Sequence, residues 1–319
     1  MTLKKSLHSL FSEIFTFSKK DFHPLSYIYA FLLVIILIYL NYSTGFYKQV
    51  MRPTYANGDS IWAFPLFYGI MYFAVAIPVL IFQKDYKLLT NTTFYIKSLF
   101  FIVLYGASIG YFEYRDWEFP SLFSEERMFT IKAISQLKGS IIYVIPLFIL
   151  KNNVDKNVDG LYGLASNSKH IRAYLTLFLM LLPFLIAISF TPDFLSAYPQ
   201  FHPWTFDGIF GFPTWWYTIL YEATYAIDFV KTELVFRGML VIGMVSIMGR
   251  KSVLPMVAMY TAIHFGKPLG ETLSSIFGGY ILGALAYQTR HIWGGVIVHI
   301  CIAMTMEVMG FIQYYLLKH

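Results

Sequence analysis

The stretch KTELVFRGML, residues 231–240, carries Lys231, Glu233 and Arg237 inside an otherwise apolar run. On a helix, Glu233 and Arg237 stand at i and i+4, on one face and within pairing distance. Two histidines follow in equally apolar surroundings: His264 closes VLPMVAMYTAIH, and His299 lies within IWGGVIVHICIAM. A carboxylate can take a proton from water, and imidazoles can hold that water, stabilise an oxyanion or bind a metal. Together they suggest hydrolysis. The plainer assignment is a structural ion pair that pins two helices, with the histidines as interhelical hydrogen-bonding groups. Glu222 lies eleven residues before Glu233, close to three helical turns, and so on roughly the same face. Asp228 reads as an interhelical polar contact.

The elements that must carry these residues are membrane spans. The chain has 319 residues, 57% of them hydrophobic and only 13% charged, and its mean hydropathy is +0.57. A soluble protein of this size needs a more polar surface. IYAFLLVIILIYL, FYGIMYFAVAIPVLIF and AYLTLFLMLLPFLIAISF are each near the length of about 20 residues that crosses a bilayer as helix. Short alternating segments, the mark of a β-barrel, are missing from the pattern. The reading is an all-α, polytopic transmembrane bundle of about 8–9 spans, near 24–42, 61–83, 94–113, 129–150, 172–191, 213–249, 252–266, 271–289 and 292–315. The region 213–249 is too long for one crossing, and is either one projecting helix or two helices broken near Lys231.

The net charge of +6 fits basic cytoplasmic loops, with no basic, aromatic-interleaved module for nucleic acid. Lys4, Lys5, Lys19 and Lys20, then Lys84 and Lys87, then Lys151, Lys156, Lys169 and Arg172, then Arg250 and Lys251 all fall on one side if each block crosses once. The loop 192–212 has no Lys or Arg. The single cysteine, Cys301, excludes an intrachain disulfide or a cysteine-based zinc site and reads as a small buried residue. Three segments follow: 1–23, a cytoplasmic interfacial segment; 24–150, N-terminal spans with hardly any ionisable residues; and 172–319, a catalytic-type core beyond the polar connection 151–171.

ELVFRG, then Tyr260 to His264, then His299 near the end, resemble the CPBP family of intramembrane proteases. That family includes the type II CAAX prenyl endopeptidases (Rce1-like) and the lysostaphin-resistance-like proteins. The likeness covers about residues 213–305. The stretch from His264 to His299 also resembles a subgroup common in Bacteroidetes bacteria. The resemblance implies a Glu-Glu-x-x-x-Arg motif whose first glutamate activates water, an aromatic-x-x-x-His motif, and a His-x-x-x-Asn motif. Here the glutamate pair reads Thr232-Glu233, and the third motif reads His299-Ile-Cys-Ile-Ala303. Threonine is no general base near neutral pH, and an alanine side chain makes no hydrogen bond.

The expected catalytic set is Glu233 as base, Arg237 as its orienter, and His264 and His299 on water and oxyanion. Glu222, Thr232, Tyr260 and Glu271 are the expected cavity-lining residues, Glu222 and Glu271 being alternative carboxylates. His264 and His299, with a glutamate, could also serve a divalent metal such as zinc. The expected activity is endopeptidase cleavage of a membrane-associated peptide or protein. The expected setting is the lipid of a bacterial cytoplasmic (inner) membrane, with no nucleic-acid partner. Two other functions fit the same residues: an inactive scaffold or chaperone that binds without cutting, and a proton- or cation-coupled transporter using the intramembrane acids.

Overall fold

The computed structural model describes residues 3–164, 171–205 and 208–317. Lys169 and the last two residues of the C-terminal segment lie outside the described residues, as do the side chains of Lys4 and Lys5. Fourteen α-helices carry the described chain. In the N-terminal half they are α1 (Leu3–Asp21), α2 (Pro24–Thr44), α3 (Ser60–Phe82), α4 (Tyr86–Leu89), α5 (Thr92–Gly110), α6 (Ser124–Ile142) and α7 (Val144–Asn153). In the C-terminal half they are α8 (Ile171–Ile188), α9 (Pro192–Ala197), α10 (Thr214–Glu233), α11 (Val245–Met248), α12 (Val253–Ala262), α13 (Leu269–Thr289) and α14 (Trp293–Leu317). No strand occurs among the described residues.

Among the described residues, eight helical stretches are long and apolar enough to cross a membrane. Large apolar side chains face outward along them, including Ile28, Trp62, Leu66 and Phe184, each more than half exposed. Water would not tolerate so wide an apolar surface, whereas lipid does. The chain is a multi-pass integral membrane protein.

One of the eight stretches, Thr214–Ala262, is 49 residues long, more than twice what the bilayer core needs. It does not cross as one rod. α10 ends at Glu233 and passes into a π-helical turn over Leu234–Met239, then short 3-10 turns and α11. At Gly249 the backbone takes φ +57°, which a residue without Cβ adopts freely, and the chain reverses into α12. The expected span 252–266 is therefore a helix of only ten residues, followed by a turn carrying His264. That turn is tied down from outside: Asn41 Nδ2 donates to the Phe265 carbonyl at 3.0 Å, and Thr272 Oγ1 donates to the His264 carbonyl at 2.7 Å. The expected span 129–150 is divided at Tyr143 into α6 and α7.

The largest core runs without a break from α2, α3 and α5 through residues 234–265 to Val296. Thus the N-terminal spans form part of the wall behind the Glu233 region. The polar connection also takes part. Lys97, on α5 and 8% exposed, bridges Asp155 Oδ2 at 2.7 Å and donates to the Gly243 carbonyl at 2.6 Å. Tyr162, fully buried, donates to the same Asp155 oxygen at 2.6 Å. The segment around 155–162 thereby clamps the turns that follow the π-helix. The N-terminal segment is a helix with one buried face: Leu10 and Phe17 are fully buried, while Phe15 is exposed. α1 packs on α8 and α13.

Candidate active-site region

Glu233 is the last residue of α10 and Arg237 lies in the π-turn beyond it. Such turns are frequent at functional sites. Arg237 Nη1 lies 2.9 Å from Glu233 Oε1, and the two side chains are 1% and 0% exposed. His299 approaches from α14, with Nδ1 2.7 Å from the same carboxylate oxygen. Its Nε2 lies 2.8 Å from the Tyr260 hydroxyl. With Nε2 accepting from Tyr260, the ring proton lies on Nδ1, the nitrogen that faces Glu233. The Arg237 guanidinium lies over the Tyr260 ring at 4.2 Å, a cation–π contact. Glu233, Arg237, Tyr260 and His299 so form a closed, largely buried ring contributed by three segments of the chain.

The close seating of α14 against α10 depends on Gly295, one turn before His299. A Cβ built there would collide with the Glu233 carboxyl group. The carboxylate is wedged between Arg237, His299 and the α14 backbone.

His264 joins this ring only through Tyr260. Its Nδ1–H donates to the Tyr260 carbonyl at 2.8 Å, and the two rings meet edge-on at 4.8 Å between centroids. The two histidines do not fit a zinc site of the expected kind. Both nitrogens of His299 are already engaged by Glu233 and Tyr260. Among the described residues no group of three or more His, Cys, Asp and Glu side chains is arranged to hold a metal, and three such ligands are what a catalytic zinc requires.

Thr232 points elsewhere. It lines a cavity of about 650 Å³ bounded by α5, α6, α10 and the chain following α2, and its Oγ1 donates to the Asp228 carbonyl at 3.0 Å. Glu233 does not line that cavity. One residue of offset turns a helix by about 100°, and here that rotation separates the cavity face from the buried ring. Glu271, in the first turn of α13, accepts from the Tyr198 hydroxyl at 3.1 Å. Glu222 stays apart from the ring, with neither carboxylate oxygen hydrogen-bonded among the described residues.

Two features escaped the sequence reading. Lys97 stands alone in TFYIKSLFF, a charge within a span whose cost alone signals a partner. Glu307, 1% exposed on α14, accepts the Gln200 backbone N–H with both oxygens at 3.0 Å. It fastens the loop after α9 onto the bundle.

A helical membrane bundle with a buried Glu–Arg–His–Tyr ring formed by α10, α12 and α14 is the class defined by this geometry. Comparison with known families gives it a relation: residues 213–305 match the family model described as Type II CAAX prenyl endopeptidase Rce1-like. The C-terminal half of the chain carries an Rce1-like domain. No curated protein and no solved structure matches the chain.

Proposed function

We propose that this Rce1-like membrane protein has kept the buried framework of a CAAX-protease-like site without its water-activating carboxylate, and works by binding a membrane-associated partner rather than cutting it. The observation that carries this reading is the division between positions 232 and 233. Thr232 faces the cavity, whereas Glu233 is fully buried against Arg237 and His299. A general base must reach the water and the substrate it serves. Glu233 is fully buried, and its interactions are those of a charge neutralised within a protein core.

One contact favours a second reading, endopeptidase cleavage with Glu233 as a relocated base. His299 Nδ1 lies 2.7 Å from its carboxylate, the separation of a base and its orienting partner. A cleavage assay separates the two. Purified full-length protein is offered a library of membrane-anchored peptides, beside Glu233→Gln. The binding reading predicts that the wild-type protein leaves the library intact while retaining some of its members. Cleavage by the wild type that disappears in Glu233→Gln would install the second reading.

A further inference from the structure

The cavity bordered by Thr232 has a charge imbalance that the Glu233 ring does not explain. Lys48, Arg52, Arg115, Lys138 and Lys231 line it, against the single carboxylate of Asp228. Asp228 is already paired with Lys231 at 2.7 Å. Lys138 Nζ donates to the Tyr111 carbonyl, and Arg115 lies over the Phe112 ring at 4.2 Å. Among the described residues Lys48, Arg52, Arg115 and Lys138 have no carboxylate partner. Four such cations around one volume repel one another and draw an anion toward it.

We propose that this cavity binds the phosphate group of an anionic lipid. Phosphate chemistry matches the donors, because arginine forks and lysine ammonium groups at two sides of a pocket can share its oxygens. The volume of about 650 Å³ lies within the range of small-molecule sites and holds more than a bare ion. Position indicates the lipid source. Lys48 and Arg52 follow the end of α2, and Arg115 follows the end of α5, where a span meets the headgroup layer. One span, α3, separates Lys48 and Arg52 from Lys84 and Lys87, so the pocket meets the headgroup layer opposite the basic loops. The tyrosines Tyr47, Tyr55 and Tyr114 in the wall are side chains suited to that boundary. The site stands independently of whether any peptide is cut.

The test uses delipidated full-length protein in a neutral detergent, with short-chain phosphatidylglycerol, phosphatidylcholine and inorganic phosphate as probes. Binding is read by native mass spectrometry and by the shift in unfolding temperature. Phosphatidylglycerol should bind, and phosphatidylcholine, whose phosphate is balanced by its own choline cation, should bind about tenfold or more weaker. Arg52→Gln and Lys48→Gln, both at exposed positions, should fold normally and each weaken binding about tenfold, as loss of a charge-assisted contact does. Inorganic phosphate that displaces the lipid at equal concentration would overturn the lipid assignment and leave a site for soluble phosphate. Equal binding of the two lipids, or wild-type affinity in both variants, would overturn the site itself.

Discussion

At the scale of single residues, the decisive fact is the direction in which two neighbours point. Thr232 meets a cavity and Glu233 meets Arg237 and His299. If Glu233 is structural, Glu233→Gln should leave a buried arginine uncompensated and lower stability by about 3–5 kcal/mol. The double substitution Glu233→Gln/Arg237→Met should recover part of that loss, because apolar replacement of a whole buried pair is often neutral. Thermal unfolding in detergent measures both, and a Glu233→Gln variant as stable as wild type would contradict the role. Gly295→Ala should destabilise by about 1–3 kcal/mol, since its Cβ meets the Glu233 carboxyl group. The i, i+4 pairing was legible in ELVFRG, as were Tyr260, His264 and His299 as candidates. That both His299 nitrogens are already engaged was not, because the chain folds α14 against α10 and α12 from a distance that no local pattern encodes.

At the scale of elements, two devices hold the π-turn region in place. One is the Lys97–Asp155–Tyr162 network, which fastens residues around Gly243 to the connection after α7. Lys97→Met should strand Asp155 in the core and cost about 3 kcal/mol or more, seen as a lower unfolding temperature with the helix content of the folded state unchanged. The other is the ion pair of Lys251 with Asp85, joining the reversal before α12 to the loop between α3 and α4. Its hydrogen bond from Lys251 holds the Asp85 carboxyl below the usual carboxylate range. A carboxyl whose folded pKa lies below its unfolded value of about 3.9 adds stability above that value and loses it as pH falls through the folded pKa. The pair is partly exposed, so Asp85→Asn should lower stability at pH 7 by less than about 1 kcal/mol. That difference should shrink as pH falls below about 3.9; a difference that does not shrink with falling pH would contradict the assignment. The long spans were legible from hydropathy because each is a continuous apolar block. The break in 213–249 was legible only as a length problem. Its resolution through a π-turn and a reversal at Gly249 rests on packing with α3, α5 and α13.

At the scale of the whole molecule, an all-helical membrane bundle with an Rce1-like C-terminal half was readable from composition and from three short motifs. The relation between the halves was not readable. The connection 151–171 is polar, as a linker would be, yet Asp155 and Tyr162 from it are inserted into the core. Hydropathy cannot distinguish a solvated loop from a polar segment that fastens helices together. The site likewise depends on the whole bundle, since the cavity beside Thr232 takes its walls from both halves. The central claim is that the buried ring is kept while a carboxylate at position 232 and an amide at position 303 are missing. The most direct test restores both: Thr232→Glu with Ala303→Asn, assayed on membrane-anchored peptides beside the wild type. The account predicts cleavage by the folded double variant and none by the wild type. Cleavage by the wild type, or a folded double variant that remains inert, would contradict it.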